Sequence, residues 1–226
     1  MSNEMIQKVN YDLFSETFSE SRNNMKWEEI EYFLETYSEY IDEKKILDIG
    51  CGNGRLLDHF IKSSFIMDID YFGVDASKGM IDEAKKKFGT DDFQVLDMLE
   101  IDKIRQKDFE SIFFIASFHH LSNVEERIEV LEKLKGVIES GSYIFMTNWA
   151  LESNLNKEKY ANSCIKDSEN EFGSKDFSIK IGEFDRFYHC FSLQELEFLF
   201  QKTGYEIVEN RLFTNERNFI SILKKA

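Results

Sequence analysis

The chain has 226 residues, a formal net charge of −15, 42% hydrophobic and 15% aromatic residues. That is enough for one globular α/β domain, and the acidity argues against a generic nucleic-acid binder, whose affinity rests on neutralising phosphates. No apolar run approaches the ~18 residues of a membrane span, the N-terminus lacks a signal-peptide core, and three scattered cysteines (Cys51, Cys164, Cys190) show no metal-ligand spacing, so a cytoplasmic protein without membrane or metal is expected.

Residues 1–44 are helical in pattern and acidic. Trp27, Ile30, Phe33, Leu34 and Tyr37 recur at helical spacing, so one face should pack on a sheet. Next comes the stretch that organises the chain. A short apolar strand, Lys45–Ile49, runs into a glycine-rich turn (Gly50, Gly52, Gly54). A helix follows with Leu56, Leu57, Phe60 and Ile61 expected on one face, and a second strand ends in Asp75. A strand–turn–helix–strand unit with an acid at the tip of the second strand is the general layout of a nucleoside site in a doubly wound sheet.

The turn discriminates among cofactors. A dinucleotide fingerprint needs glycine where Arg55 stands, and the Gly-Lys-Ser/Thr ending of a P-loop is absent. The pattern is Asp48-x-Gly50-Cys51-Gly52-Asn53-Gly54. Asp75, 21 residues after Gly54, is placed to accept hydrogen bonds from both ribose hydroxyls, and Asp48 suits a cationic group or an amine. A ligand with adenosine, a sulfonium, an amino group and a carboxylate fits all of this, and that ligand is S-adenosylmethionine. The stretch resembles motifs I and II of class I S-adenosylmethionine-dependent methyltransferases. The resemblance implies a three-layer, Rossmann-like α/β fold whose seven-stranded sheet is mostly parallel with an antiparallel last strand. It also implies cofactor contacts from Asp48, Gly50, Cys51, Gly52, Asn53, Gly54, Asp75, Ala76, Met80, Asp97, Met98 and Ala116, the Asp97-Met98 pair lying where this fold usually contacts adenine.

Beyond Asp75, Ser77 caps a predicted helix, Lys78–Phe88, with Met80, Ile81 and Ala84 inward. Strands are expected over 92–96 and 111–116. The second of these leads into Ser117-Phe118-His119-His120-Leu121, a loop that should lie beneath the transferable methyl, with at most one of the two histidines facing the site. A helix is expected over 124–138, ended by Glu139-Ser140-Gly141, which also starts a strand over 143–149. Residues 150–191 read as a long irregular insertion, a candidate substrate lid. Ser192 caps a helix, Leu193–Lys202, with Leu196, Leu199 and Phe200 inward and Gly204 after it. Two alternating stretches, 205–213 and 218–223, form an antiparallel closing hairpin. No composition shift divides the chain, so a single domain over 1–226 is expected, with a helical cap (1–44) and the lid (150–191).

Two stretches narrow the family. Tyr11 to Trp27, with Phe18 and Arg22 inside it, and Arg186-Phe187-Tyr188-His189-Cys190-Phe191 resemble the tRNA wobble-uridine carboxymethyl methyltransferases, which esterify a 5-carboxymethyl group on the anticodon uridine. This resemblance implies tRNA as partner and, as in the eukaryotic members, a small activator subunit. It also implies that Tyr11 and Arg22 cover the cofactor and acceptor. Arg186 would orient the acceptor carboxylate through a bidentate contact, with Tyr188 and His189 adding hydrogen bonds or stacking on a base. The ordinary alternatives are a surface ion pair of Arg186 with Glu183 or Asp185, and a satisfied half-buried role for His189. Two other functions stay open: a small-molecule methyltransferase, favoured by the acidity and the lid aromatics Phe172, Phe177, Phe184, Phe187 and Tyr188, and a non-catalytic cofactor-binding protein.

Overall fold

A computed structural model describes residues 27–226 apart from residue 183. Three continuous apolar runs form β1 (Lys45–Ile49), β2 (Asp70–Asp75) and β4 (Phe109–Ile115), buried on both faces as parallel strands roofed by helices must be. With β3 (Phe93–Val95), β5 (Ile138–Trp149), β8 (Tyr205–Leu212) and β9 (Asn218–Lys225) they build one sheet of order β3-β2-β1-β4-β5-β9-β8. β1 to β5 pair in parallel, and β9 runs antiparallel to both β5 and β8. The seven-stranded, mostly parallel sheet with an antiparallel last strand is thus the one the sequence implies.

Alternation along the strands sorts the core into two layers. Ile46, Tyr71, Phe113, Phe145, Ile220 and Ile222 face helices α1 (Glu28–Thr36), α2 (Arg55–Lys62) and α3 (Lys78–Phe88). Leu47, Phe72, Ile112, Phe114 and Ile144 face α4 (Val124–Leu134) and, beyond the short α5 (Lys157–Tyr160), α6 (Leu193–Lys202). Ser77 and Ser192 cap their helices as the sequence signals, accepting from the amides of Met80 and Glu195, and Asn123 caps α4 by accepting from the Glu126 amide. Among the described residues no helix is long and apolar enough to cross a membrane.

Three expectations need correction. Ile61 does not join the buried stripe of α2. It is 64% exposed, because one residue beyond Phe60 the last turn rotates it ~100° off that face. α4 stops at Leu134, where a tight turn (Gly136 amide to Lys133, Val137 amide to Leu134) closes it. Ile138 already pairs with Phe109, so Glu139, Ser140 and Gly141 lie within β5. The insertion over 150–191 is not irregular throughout. It carries a second, two-stranded sheet, β6 (Lys175–Ile181) with β7 (Phe184–Cys190), seated on a small core of Leu151, Phe177, Ile179, Tyr188 and Cys190. The alternation of Phe177 and Ile179 with polar residues was the signal for it.

The contrast within α2 is measurable by urea unfolding. Phe60→Ala should cost about 3–5 kcal/mol for a fully buried ring, whereas Ile61→Gln should change stability by less than about 0.5 kcal/mol.

Candidate functional site

The loop after β1 doubles back over the strand tips. The amides of Gly50 and Cys51 both donate to the Val74 carbonyl (2.8 and 3.0 Å), and the Gly52 amide donates to Asp75 Oδ2 (2.9 Å). Gly50 and Gly52 have φ of 77° and 55°, the left-handed region that glycine adopts without penalty. A Cβ at Gly50 would lie 2.4 Å from the Ser117 Cβ, while at Gly52 nothing stands within 4 Å, leaving that side of the loop open to a ligand. Asp75 is fixed at both oxygens, since the Ser77 amide donates to Oδ1 (2.8 Å).

Asp48 sits beneath the loop, 1% exposed. The Tyr71 hydroxyl donates to its Oδ2 (2.7 Å), and among the described residues Oδ1 has no hydrogen-bond partner. Burial pushes this carboxyl up to about 7; the Tyr71 hydrogen bond and Arg55 oppose the rise and Asp75 adds to it. Burial, with Asp48 next, also raises the Cys51 thiol. A buried carboxylate with an orphaned oxygen beside an open glycine cradle fits the cationic methionine end of S-adenosylmethionine. Beyond the strand tip, Met80 is buried in the first turn of α3 and Ala76 is exposed. Asp97 Oδ1 accepts from the Leu99 amide (3.1 Å), capping the turn that begins at Met98. Ala116 leaves β4 with φ of 52°, rare for a non-glycine residue, and its amide is held by the Thr147 carbonyl (3.1 Å) and hydroxyl (3.0 Å).

A second cluster of candidate residues is built where β4 meets the hairpin. Ser117 Oγ donates to the Ile49 carbonyl (2.6 Å), laying the turn Phe118–His120 against the cofactor loop. His120 Nδ1 donates to the Phe187 carbonyl (2.9 Å), and Arg186 donates through Nη2 to His120 Nε2. A carbonyl can only accept and a guanidinium can only donate, so the ring is the Nδ1–H tautomer. The Arg186 guanidinium lies 5.1 Å from the Tyr188 ring centroid, and Tyr188 stacks on Trp149 (4.9 Å, 15°). Burial lowers the Arg186 pKa from its ordinary value, with Tyr188 opposing. His119 is buried behind its neighbour and accepts at Nδ1 from the Trp149 amide (3.2 Å). Of the two histidines, His120 is the one directed to Arg186.

Arg186 and Tyr188 therefore come together, and Arg186 meets His120; among the described residues it makes no ion pair to Asp185, and Glu183, the other expected partner, lies outside them. His189 does not join them. Its Nδ1 donates to Asp176 Oδ1 (2.7 Å) and its Nε2 to Glu195 Oε2 (2.8 Å), so neither ring nitrogen remains for an acceptor. Tyr11 and Arg22 lie outside the described residues. Tyr71, Thr147 and Trp149 carry no motif that marks them for the site. Tyr71 reaches Asp48 only because β1 and β2 pair in register, which is invisible in local sequence.

Residues 47–144 match a methyltransferase-domain family. A protein of Encephalitozoon cuniculi named as a methyltransferase is 25% identical over 95% of this chain and 93% of its own length. The tRNA (carboxymethyluridine(34)-5-O)-methyltransferase of Xenopus tropicalis is 30% identical over 70% of this chain, which spans only 23% of that protein. Among solved structures, an S-adenosylmethionine-dependent methyltransferase from Clostridium acetobutylicum superposes with a TM-score of 0.67 (15% identity, 96% of this chain, 99% of that one). The chain is an S-adenosylmethionine-dependent methyltransferase with the fold of the class I enzymes. A Haloferax volcanii methyltransferase solved in complex with the Trm112 activator shares the fold (TM-score 0.68, 14% identity, covering 96% and 98%).

Titration calorimetry with S-adenosylhomocysteine tests the cradle of this methyltransferase. Asp75→Ala should weaken binding by more than about tenfold, since each lost charge-assisted hydrogen bond is worth ~1.5–3 kcal/mol. For Asp48 the sign follows from its raised pKa. The buried carboxyl is protonated without penalty below pH ~4, its burial opposes folding increasingly as pH rises, and the penalty is complete above about 7. Asp48→Asn should therefore stabilise the ligand-free protein at pH 8 by up to about 4 kcal/mol, leave it nearly unchanged at pH 4, and weaken the cofactor at both; thermal melts across that range read it out.

Proposed function

We propose that this methyltransferase esterifies a carboxylate, the 5-carboxymethyl group of a wobble uridine in tRNA. The observation that carries the reading is the guanidinium of Arg186 held against His120 at the strand tips, beside Tyr188 and the Trp149 ring stacked on it. Bound S-adenosylmethionine supplies an electrophilic methyl. A carboxylate is a nucleophile at neutral pH without a base, so the protein's task is to hold it in line and dry, which is worth up to ~7–11 kcal/mol. Arg186 presents a planar fork that matches a carboxylate, and His120, accepting from that fork, keeps it aimed. Trp149, half-buried and backed by the stacked ring of Tyr188, offers a flat face for a base. The tRNA (carboxymethyluridine(34)-5-O)-methyltransferases among the relatives support this acceptor, and the activator-bound structural neighbour supports a small partner subunit. A cytoplasmic location accords with such a substrate and with three free cysteines. The net charge of −15 favours a second reading, a small carboxylic acid as acceptor on the same site.

The test uses methyl-labelled S-adenosylmethionine with a carboxymethyluridine-containing tRNA pool and, in parallel, a cell metabolite extract. Label in tRNA that mild base releases supports the ester assignment; label only in the small-molecule fraction replaces it with the second reading. Arg186→Ala should cut turnover by well over tenfold with cofactor affinity within about twofold, the pattern of a residue that acts on the acceptor alone. Unchanged turnover removes Arg186 from the site.

A further inference from the structure

Behind the site runs a line of buried charges that the methyl-transfer chemistry does not use. Asp176 on β6 is the register partner of His189 on β7, and its Oδ1 accepts from His189 Nδ1. His189 Nε2 donates to Glu195 Oε2, in the first turn of α6. Glu195 Oε1 accepts from Arg127 Nη1 (2.9 Å) on α4, and Arg127 Nη2 donates to the Leu121 carbonyl (3.0 Å). His189, Glu195 and Arg127 are 4%, 1% and 3% exposed, and Asn170 Nδ2 closes the arrangement by donating to Glu195 Oε2 (2.9 Å). Both partners of His189 are carboxylates that accept, so both ring nitrogens donate. The charges then alternate along the line: acid, imidazolium, acid, guanidinium. Burial would raise the Glu195 pKa, but hydrogen bonds from His189, Ser174 and Asn170 hold it down at about 2.

The two ends of this line are informative. One is His189, three residues along β7 from Arg186. The other is the Leu121 carbonyl, adjacent to His120 at the end of the Phe118–His120 turn. Alternation along β7 puts Arg186 and Tyr188 on one face and His189 on the other, so the strand is gripped from behind while its front face meets His120. Apolar packing of the same volume would stabilise such a junction as well or better. What ions add is direction, because each hydrogen bond fixes one atom against another and a missing partner strands a buried charge.

We infer that the Asp176–His189–Glu195–Arg127 line is a positioning frame that sets the His120 turn against Arg186, joining the two halves of the acceptor pocket from behind. Its importance for turnover rests on the acceptor reading above; the geometric claim does not. These four are positioning residues and act only through Arg186 and His120.

The chain has four histidines, so a ¹⁵N-histidine spectrum gives few enough ring signals to assign. In the wild type His120 should show a protonated Nδ1 and a bare Nε2, and His189 two protonated nitrogens. Glu195→Gln preserves volume but removes the charge and turns one of the two accepting oxygens into a donor. With the frame as inferred, this variant loses the single-tautomer pattern of His120 although position 195 does not touch it. Unchanged His120 signals in a variant that still unfolds cooperatively would overturn the inference. Should Glu195→Gln fail to fold, Asp176→Asn, at the half-exposed end of the line, carries the same test with the same two outcomes. Once an acceptor is in hand, Glu195→Gln should lower kcat by about tenfold with cofactor affinity within about twofold, and adding it to Arg186→Ala should cost nothing further. Additive losses would make its effect independent of Arg186 and would also overturn the frame. The spectra need no acceptor, so failure of the acceptor assignment and failure of the frame are separable.

Discussion

The tips of β1 and β4 are joined at one short contact. Ser117 donates its hydroxyl to the Ile49 carbonyl, and its Cβ takes up the space that a side chain at position 50 would need. Pairing of Ile46 with Ser111 and Asp48 with Phe113 already fixes how far each strand extends, so the contact determines how closely the histidine turn approaches the cofactor loop. Both sides accept unusual backbone to make it. Glycine does so without penalty at position 50, and Ala116 is held in its left-handed conformation by two hydrogen bonds from its amide to Thr147. The glycine loop and the histidine turn are therefore two sides of one seam.

The sheet and its helices were legible because their signals are local. Apolar runs, a glycine turn, and Ser before a helical stripe each require only a few neighbouring residues. Asp48 and Asp75 were legible for a related reason, since position on a strand tip follows from position in a motif. The hairpin β6–β7 was obscured by the polar stretch before it, and Ile61 by a periodicity that runs one residue past the buried stripe of α2. For His189 the sequence left an acceptor role and a satisfied role open, because its surroundings are set by residues 13 before it and 6 after it, on a different strand and a helix. A histidine beside an arginine and a tyrosine in sequence faces the other way in a strand.

Two buried acids show how differently the same side-chain chemistry can be used. Glu195 is surrounded by donors and stays ionised, with His189, Asn170 and Arg127 sharing its oxygens. Asp48 has one phenolic donor and an oxygen with none among the described residues, and burial drives it toward the neutral form. A satisfied ion serves as architecture, whereas an acid with an unsatisfied oxygen is suited to pairing with a cation.

The order of the sheet has a consequence for biosynthesis. β9 follows β8 along the chain but lies between β8 and β5, with Ile220, Ile222 and Leu223 fully buried. While the protein is being made, β5 and β8 both stand with open edges until residues 218–225 have emerged, and the two core layers cannot close before then. Exposed strand edges of this length recruit foreign strands. The hazard to such a nascent chain is greatest in the interval between the emergence of β8 and that of β9.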